Sequence, residues 1–279
     1  KVVIVAGFQG INEAQDVTTL GRGGSDTTAV ALACALKADE CQIFTDVTGI
    51  YTADPRVAPE ARKLKDISYE EMLELATLGA RVMHPRSVEL GSVYGMPILV
   101  ASSFSSEPGT LIHEVSSMEA RNKVRGIAHD LDVAKITIVG VPDRPGIAAT
   151  IFAPLAAAGL SVDTIVQNAG REKFADLTFT LSKTDLPRAM QLVQGIAKDI
   201  HARDCISDSD LGKVSIVGTG IQNAPGYAAR MFETLFQEHI NIEMITTSEI
   251  RITCVVAENR VADAVRALHR AFELEQPED

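Results

Sequence analysis

The apolar positions of this chain switch repeatedly between two periods. Residues 2–6 (Val-Val-Ile-Val-Ala) form an unbroken apolar run leading into Gly7 and Gly10, which predicts a buried strand entering a loop. Over residues 25–38 the spacing changes: Val30, Ala31, Cys34 and Ala35 mark one face of a helix. Gln42 to Val47 predicts a strand with a polar pair, Thr45 and Asp46, near its end. A loop with Gly49, Asp54, Pro55 and Pro59 follows. Ser68 then opens a second helix, with Glu71 three residues on forming a capping box and Met72, Leu75, Ala76 and Gly79 at helical spacing. His84-Pro85 interrupts it, a further short helix runs to about Tyr94, and Pro97 to Ala101 predicts a strand. Strands alternating with helices imply an α/β unit over the first ~112 residues, mostly parallel, with ligands at the strand C-terminal ends.

Residues 113–123 lack a strong apolar period and read as a linker, and beyond them the chain repeats itself. Lys135-Ile-Thr-Ile-Val-Gly140 matches Lys213-Val-Ser-Ile-Val-Gly218, and Pro145-Gly146 matches Pro225-Gly226. Each copy predicts a helix, a strand pair and a second helix: Leu160 to Val166 with Ala175 to Leu181, and Ile240 to Thr246 with Arg251 to Val256. The first copy closes on a strand near Asp204 to Ser207, whereas the second stops after a helix at Val261 to Phe272. Val124 to Ala128 is left without a partner, so it is expected to supply the missing strand. The first repeat (134–208) is then inserted within the second (124–130 plus 209–279).

Composition narrows the class. The 279 residues are 46% hydrophobic and 23% charged, ordinary for a globular protein. A net charge of −11 argues against nucleic acid or an anionic membrane as the main partner. Cys34, Cys41, Cys205 and Cys254 are scattered without metal-ligand spacing, which fits a reducing, cytoplasmic setting. No stretch approaches the ~20 apolar residues of a membrane span, and residues 2–6 are too short for a signal peptide. A chain that opens on a core strand, without an initiator Met, reads as the middle of a domain.

The stretch Thr19-Leu-Gly-Arg-Gly-Gly-Ser-Asp26 carries the first candidate chemistry. A glycine turn feeding a helix N-terminus offers unpaired N–H groups and the positive end of the helix dipole, which suits an anion. Arg22 adds a planar fork of donors for a carboxylate or phosphate, while Ser25 or Asp26 as a simple N-cap is the plainer alternative. Two further loops follow: Thr45-Asp-Val-Thr-Gly-Ile-Tyr-Thr-Ala-Asp-Pro-Arg56 and Leu78-Gly-Ala-Arg-Val-Met-His-Pro85.

In this order and spacing the three loops resemble the aspartate kinases of the amino-acid-kinase family, and the repeats resemble that family's paired ACT regulatory domains. The resemblance implies the C-terminal part of a kinase domain (1–112) followed by two α+β, ferredoxin-like ACT domains. It implies transfer of the γ-phosphoryl group of MgATP to the side-chain carboxylate of L-aspartate, with ATP and Mg²⁺ as cofactors, opening the aspartate-family route of amino-acid biosynthesis. Arg22, Gly23, Gly24, Ser25 and Asp26 would bind the substrate, Asp26 also orienting a phosphate-binding lysine as the catalytic residue. Thr45, Asp46, Tyr51, Thr52, Ala53, Asp54, Pro55 and Arg56 would contact the nucleotide, with Arg56 open between a phosphate and a solvated role. Arg81 and Val82 join that set; Arg81 stands where many of these enzymes carry lysine. His84 reads as structural, and Glu70, Glu71 and Glu74 as a polar helix face.

The family's N-terminal Lys-Phe-Gly-Gly-type segment has no counterpart here. The chain is therefore expected to be a fragment of a longer enzyme, inactive alone. In the first repeat, Asp143, Arg144, Pro145, Gly146, Ile147 and Ala148 form a strand-to-helix turn suited to an amino acid's carboxylate, Asp143 taking its ammonium. Ser161, Val162, Asp163 and Gln167 would close that site. In the second, Asn223 replaces the acid, and Tyr227, Ala228, Asn241, Ile242, Ser248 and Glu249 serve either a second pocket or the interface between repeats. The family implies lysine or threonine as effector, and a homodimer through ACT edges. A non-catalytic amino-acid-sensing regulatory subunit is the alternative.

Overall fold

The computed structural model describes residues 1–80, 82–114, 123–168, 174–221 and 224–277. Residues 1–7 form no strand. Val2, Val3 and Ile4 are 94%, 81% and 94% exposed. An apolar run becomes a strand only where a neighbour accepts its hydrogen bonds, and no described strand lies beside it. The chain instead enters through a hairpin, β1 (Gln9–Ile11) and β2 (Val17–Thr19), and continues into α1 (Gly24–Leu36).

The N-terminal part is built on a mixed four-stranded sheet in the order β3-β5-β6-β4. β3 (Cys41–Thr45) runs parallel to β5 (Ile98–Ser102), and β4 (Asp66–Ser68) parallel to β6 (Thr110–His113). The central pair, β5 and β6, is antiparallel. The short strands β4 and β6 escape sequence reading because three or four residues show no period.

The expected helices form. α2 (Tyr69–Thr77) starts at Ser68 with the full capping box: the Ser68 side chain accepts from Glu71 N–H and Glu71 reaches back to Ser68 N–H. α3 (Pro85–Tyr94) has Pro at its first position and ends at Gly95. Val30, Ile67, Met72, Val88, Ile98, Val100 and Ile112 lie fully buried between sheet and helices, each contributing about 1.5–3 kcal/mol of transfer free energy.

The repeats share one six-stranded antiparallel sheet in the order β11-β12-β10-β7-β9-β8. Its spine is two long strands, β7 (Gly126–Pro142) and β10 (Asp204–Val217). Residues 204–208 pair with 135–139, as the first repeat requires, while 213–217 pair with 126–130 and give the second repeat its closing strand. The first half is completed by α4 (Ile147–Ala157), β8 (Ile165–Gln167), β9 (Phe174–Leu181) and α5 (Leu186–Asp199). The second is completed by α6 (Tyr227–Gln237), β11 (Met244–Thr247), β12 (Arg251–Ala257) and α7 (Val261–Ala271).

Two register shifts, between Asp208 and Leu211 and between Leu211 and Lys213, decide the layering. The first adds a residue in β10 and the second in β7, so they cancel. Ile136 and Ile138, under α4 and α5, then share a face with Ile127, Val214 and Ile216, under α6 and α7. All four helices cover one face. On the opposite face Val133, Leu211 and Val255 cluster, and Ala128 and Val217 pack into the core of the N-terminal part.

Candidate active site and effector sites

The glycine turn sits where α1 meets the sheet. Gly24 N–H bonds back to Gly21 C=O at 3.0 Å, and Gly23 caps α1 at φ 74°. A β-carbon at Gly23 would lie 2.5 Å from His84 Cδ2, so the turn closes directly on the start of α3. His84 is structural: its Nδ1 accepts Arg86 N–H at 3.2 Å and caps α3. α1 has no side-chain cap, and Arg22 and Ser25 are exposed beside its first turn, where the Ser25 hydroxyl faces Asp26 Oδ1 at 3.4 Å. Helices α5 and α7 also lack side-chain caps. Arginines also stand at those starts, Arg188 in the first turn of α5 and Arg260 as the N-cap of α7, so what sets the α1 start apart is its place at the sheet edge beside the His84 turn.

α1 leads into β3 by a short connection and packs back along it, so its N-terminus lies at the C-terminal edge of the sheet. Thr45 ends β3 at that edge. Its hydroxyl donates to Asp46 Oδ1 at 3.0 Å, and its carbonyl accepts Ser103 N–H at 2.8 Å. The loop after Asp46 returns beside the start of β6, where Ile50 N–H donates to Thr110 Oγ1 at 2.9 Å. Tyr51 OH and Thr48 Oγ1 are 2.7 Å apart. The glycine turn thus touches the His84 loop, and Thr45 and Asp46 end β3 at the same edge of the sheet. An open hollow lined by Ala38, Asp39, Glu40 and Gln42 lies at the other end of β3 and touches none of them.

Within the nucleotide-loop set the structure divides the residues. Arg56 forms a bidentate pair with Asp54, Nε–Oδ1 3.0 Å and Nη2–Oδ2 2.8 Å, and holds that carboxyl below the usual aspartate range. Pro55 and Arg56 are exposed, and Asp46 is exposed at the same edge. Thr52 and Ala53 are corrected: both are buried and face away from the edge. Thr52 N–H bonds to Arg62 C=O, its carbonyl accepts Ile127 N–H, and its hydroxyl accepts Arg62 N–H and meets His269 Nε2 at 2.9 Å. Ala53 packs in the core of the second repeat. Tertiary packing on α7 overrides their place in the motif. Val82 is half-buried against the N-terminal core; Arg81 lies outside the described residues.

Of the three α2 glutamates, Glu70 is exposed as a polar face requires, whereas Glu71 and Glu74 differ. Glu71 is 5% exposed; its Oε1 accepts Thr219 N–H at 3.0 Å and the Thr219 hydroxyl at 2.9 Å, and its Oε2 is 3.7 Å from Arg125 Nε. Glu74 pairs with Arg251 Nη1 at 2.9 Å. Thr219, Arg125 and Arg251 belong to the second repeat, so α2 is its docking helix. His269 stands at the same junction, bordering a cavity of about 130 Å³ with Ala58, Pro59, Glu60, Arg266 and Arg270. Burial keeps its imidazole below the usual histidine range. Nothing local in the sequence announces these contacts; a capping box looks the same with or without a partner.

The effector residues are regrouped. Asp143, Arg144, Pro145 and Gly146 are exposed at the outer end of β7, with Ala148 on the first turn of α4. Ile147 turns its side chain into the core. Gln167 pairs with Leu177, near that outer end. Ser161, Val162 and Asp163 do not join them: Asp163 N–H bonds to Thr180 C=O, and Thr180 pairs with Lys135, seven residues from Pro142. At ~3.3 Å per residue that is about 23 Å along the strand. The helix between carries the chain back to the opposite end of the strand, a length the motif spacing does not convey.

The second repeat divides the same way. Tyr227, Ala228, Ser248 and Glu249 lie at its outer end, and Asn241 and Ile242 at the centre. Tyr227 OH accepts Lys123 N–H at 3.2 Å, and its ring stacks on Phe272 at 6.0 Å. Ser248 Oγ is buried without a hydrogen-bond partner among the described residues, and Asn223 lies outside them.

Burial pushes the Cys254 thiol up to about 12 and is the main cause raising Cys41 to about 11. Among the described residues no cluster of His, Cys, Asp or Glu could hold a metal ion, and no helix is long and apolar enough to cross a membrane.

Comparison with known proteins identifies the families of the two parts. Residues 1–102 match the amino acid kinase family, and residues 135–197 and 214–272 each match the ACT domain. The chain is 53% identical over 279 residues to an aspartate kinase of Stutzerimonas stutzeri (strain A1501), covering 99% of this chain and 68% of that protein. E. coli aspartokinase III in complex with aspartate and ADP (R-state) superposes with a TM-score of 0.79 at 31% identity, over 95% of this chain and 59% of that one. The same enzyme in complex with lysine and aspartate (T-state) gives 0.73 at 31% identity, with the same 95% and 59% coverage. The regulatory subunit of aspartate kinase from Thermus thermophilus matches 54% of this chain over 99% of its own, with a TM-score of 0.52 and 39% identity.

Proposed function

This chain belongs to the aspartate kinase family, and on that premise we propose that it carries the aspartate-binding and nucleotide-binding edge and the effector domains of such an enzyme. The activity is phosphoryl transfer from MgATP to the side-chain carboxylate of L-aspartate, giving 4-phospho-L-aspartate. One observation carries the reading: an uncapped helix start with exposed Arg22 shares a sheet edge with Thr45 and Asp46.

Phosphoryl transfer asks a protein mainly for positioning and charge neutralisation. Arg22 holds the α-carboxylate of aspartate as a fork, and the Gly23–Gly24 turn lets backbone donors approach. Asp26 is the orienting carboxylate of the site. Asp46 and the Thr45 hydroxyl serve the nucleotide, and Arg56, steadied by Asp54, keeps donors for a phosphate. Bound MgATP supplies the phosphoryl group, and its Mg²⁺ neutralises phosphate charge while needing only one or two protein carboxylates. The uncapped N-terminus of α1 suits such an anionic ligand.

The effectors are lysine, threonine or both, bound by the repeats; the lysine complex of the E. coli enzyme supports this. We take 134–208 as the first ACT unit and 124–130 with 209–279 as the second, assembling with another copy or with a separate regulatory subunit. The Thermus regulatory subunit, matched over 99% of its own length by 54% of this chain, favours regulation as a separable role. The proposed setting is the cytoplasm, in the amino-acid biosynthesis that yields lysine and threonine.

Calorimetric titration with L-aspartate, MgATP, L-lysine and L-threonine tests the assignment. Arg22→Ala should abolish aspartate binding and spare the nucleotide. Joined to the unmatched part of the S. stutzeri enzyme, the chain should form an acyl phosphate trapped by hydroxylamine. Reaction with glutamate but not aspartate would refute the substrate.

A further inference from the structure

The centre of the six-stranded sheet holds two lysines at equivalent places in the repeats. Lys135 opens Lys-Ile-Thr-Ile-Val-Gly on β7, and Lys213 opens Lys-Val-Ser-Ile-Val-Gly on β10. Each crosses to the other repeat. Lys213 Nζ pairs with Asp163 and lies 3.1 Å from Thr180 Oγ1. Lys135 Nζ lies 3.3 Å from Glu243 Oε2.

The acids are equivalent as well. Asp163 N–H bonds to Thr180 C=O in the first half, and Glu243 N–H to Val255 C=O in the second. Thr180 is the register partner of Lys135, and Val255 that of Lys213. The arrangement is a pseudo-two-fold: each lysine lies beside its own repeat's strand and reaches the loop that opens the other repeat's edge strand. The cancelling register shifts put both lysines on the helix-free face, where this reach is possible.

We propose that Lys135 and Lys213 are crossed positioning residues, each setting the central loop of the opposite repeat, 241–243 and 161–163 respectively. The proposal rests on reading the effector sites as lying at those central loops, which are separated from the outer turn at 143–148. The Lys213 side chain is 8% exposed, so leaving its charge unpaired is costly, and it ties the first-repeat loop to β10. Only the lysine end is buried, since the Asp163 side chain is 53% exposed, so it is the need to pair the Lys213 charge that holds the loop in place. An effector that moves residues 161–163 therefore acts on a strand of the second repeat, and the reverse holds through Lys135.

Amide hydrogen exchange on the 279-residue chain tests the crossing. Lys213→Met should accelerate exchange at 160–167 by about tenfold and leave 240–247 within about twofold; Lys135→Met should do the reverse. Faster exchange in the variant's own repeat, in both loops alike, or in neither overturns the proposal. Should Lys213→Met fail to fold, Asp163→Asn, on an exposed side chain, must reproduce the effect at 160–167. Titration with L-lysine and L-threonine is read separately. A parent chain that binds neither sinks the effector reading, while the exchange pattern still decides the crossing. Binding by Lys213→Met within about twofold of the parent would overturn the positioning role.

Discussion

The Thr219 hydroxyl lies 2.9 Å from Glu71 Oε1, joining the second residue after β10 to the capping glutamate of α2. A residue that first secures its own helix also fastens the second repeat to the N-terminal part. Removing it leaves the Thr219 N–H and hydroxyl unpaired and the Arg125 guanidinium without that neighbour. Glu71→Ala should cost about 3–5 kcal/mol, the usual loss when one partner of a buried charged pair is deleted. Glu74→Ala, which breaks a partly exposed pair with Arg251, should cost about 1 kcal/mol or less. Chemical denaturation of both variants measures the difference; equal losses would refute a special role for Glu71.

His269 makes stability depend on pH. Its folded-state pKa is lowered, chiefly by burial, so in mild acid the unfolded chain binds a proton that the folded chain resists. Its contribution is intact above the ordinary histidine value of 6.5 and is lost as pH falls from there toward the lowered folded value. Denaturation midpoints of the parent chain should drop below pH 6.5, and His269→Gln should flatten that segment of the profile.

Thr52 separates the structural reading of its loop from the nucleotide reading. Thr52→Val keeps the shape but strands Arg62 N–H and His269, at a cost of about 1–3 kcal/mol. Nucleotide affinity, measured by calorimetry, should stay unchanged because the side chain faces α7. A selective loss of nucleotide binding without a loss of stability would reverse the assignment.

Gly23 and Gly21 contrast a steric with a conformational requirement. Both have positive φ, but a β-carbon at Gly21 meets open space while one at Gly23 meets His84. Gly21→Ala should cost about 1 kcal/mol through strain alone. Gly23→Ala should cost more, about 1–3 kcal/mol, and weaken aspartate binding because the Arg22 turn must move. Circular dichroism melts and aspartate titration of the two variants test this ordering.

Local patterns determined much of this protein. The helix at Ser68 is written in a capping box, the break at Pro85 in a ring that lacks an N–H, and the repeats in their matching strand openings. The glycine turn and its arginine were legible because a helix start offers donors whatever surrounds it. Tertiary structure alone decided the rest. Residues 2–6 have the composition of a strand but no described strand beside them, and Thr52 sits in a ligand-like motif yet serves a core. Asp163 was separated from Asp143 by the length of a strand, and Glu71 found a partner 148 residues away. Period and propensity act over a few residues, whereas pairing, burial and charge compensation depend on what the folded chain brings alongside.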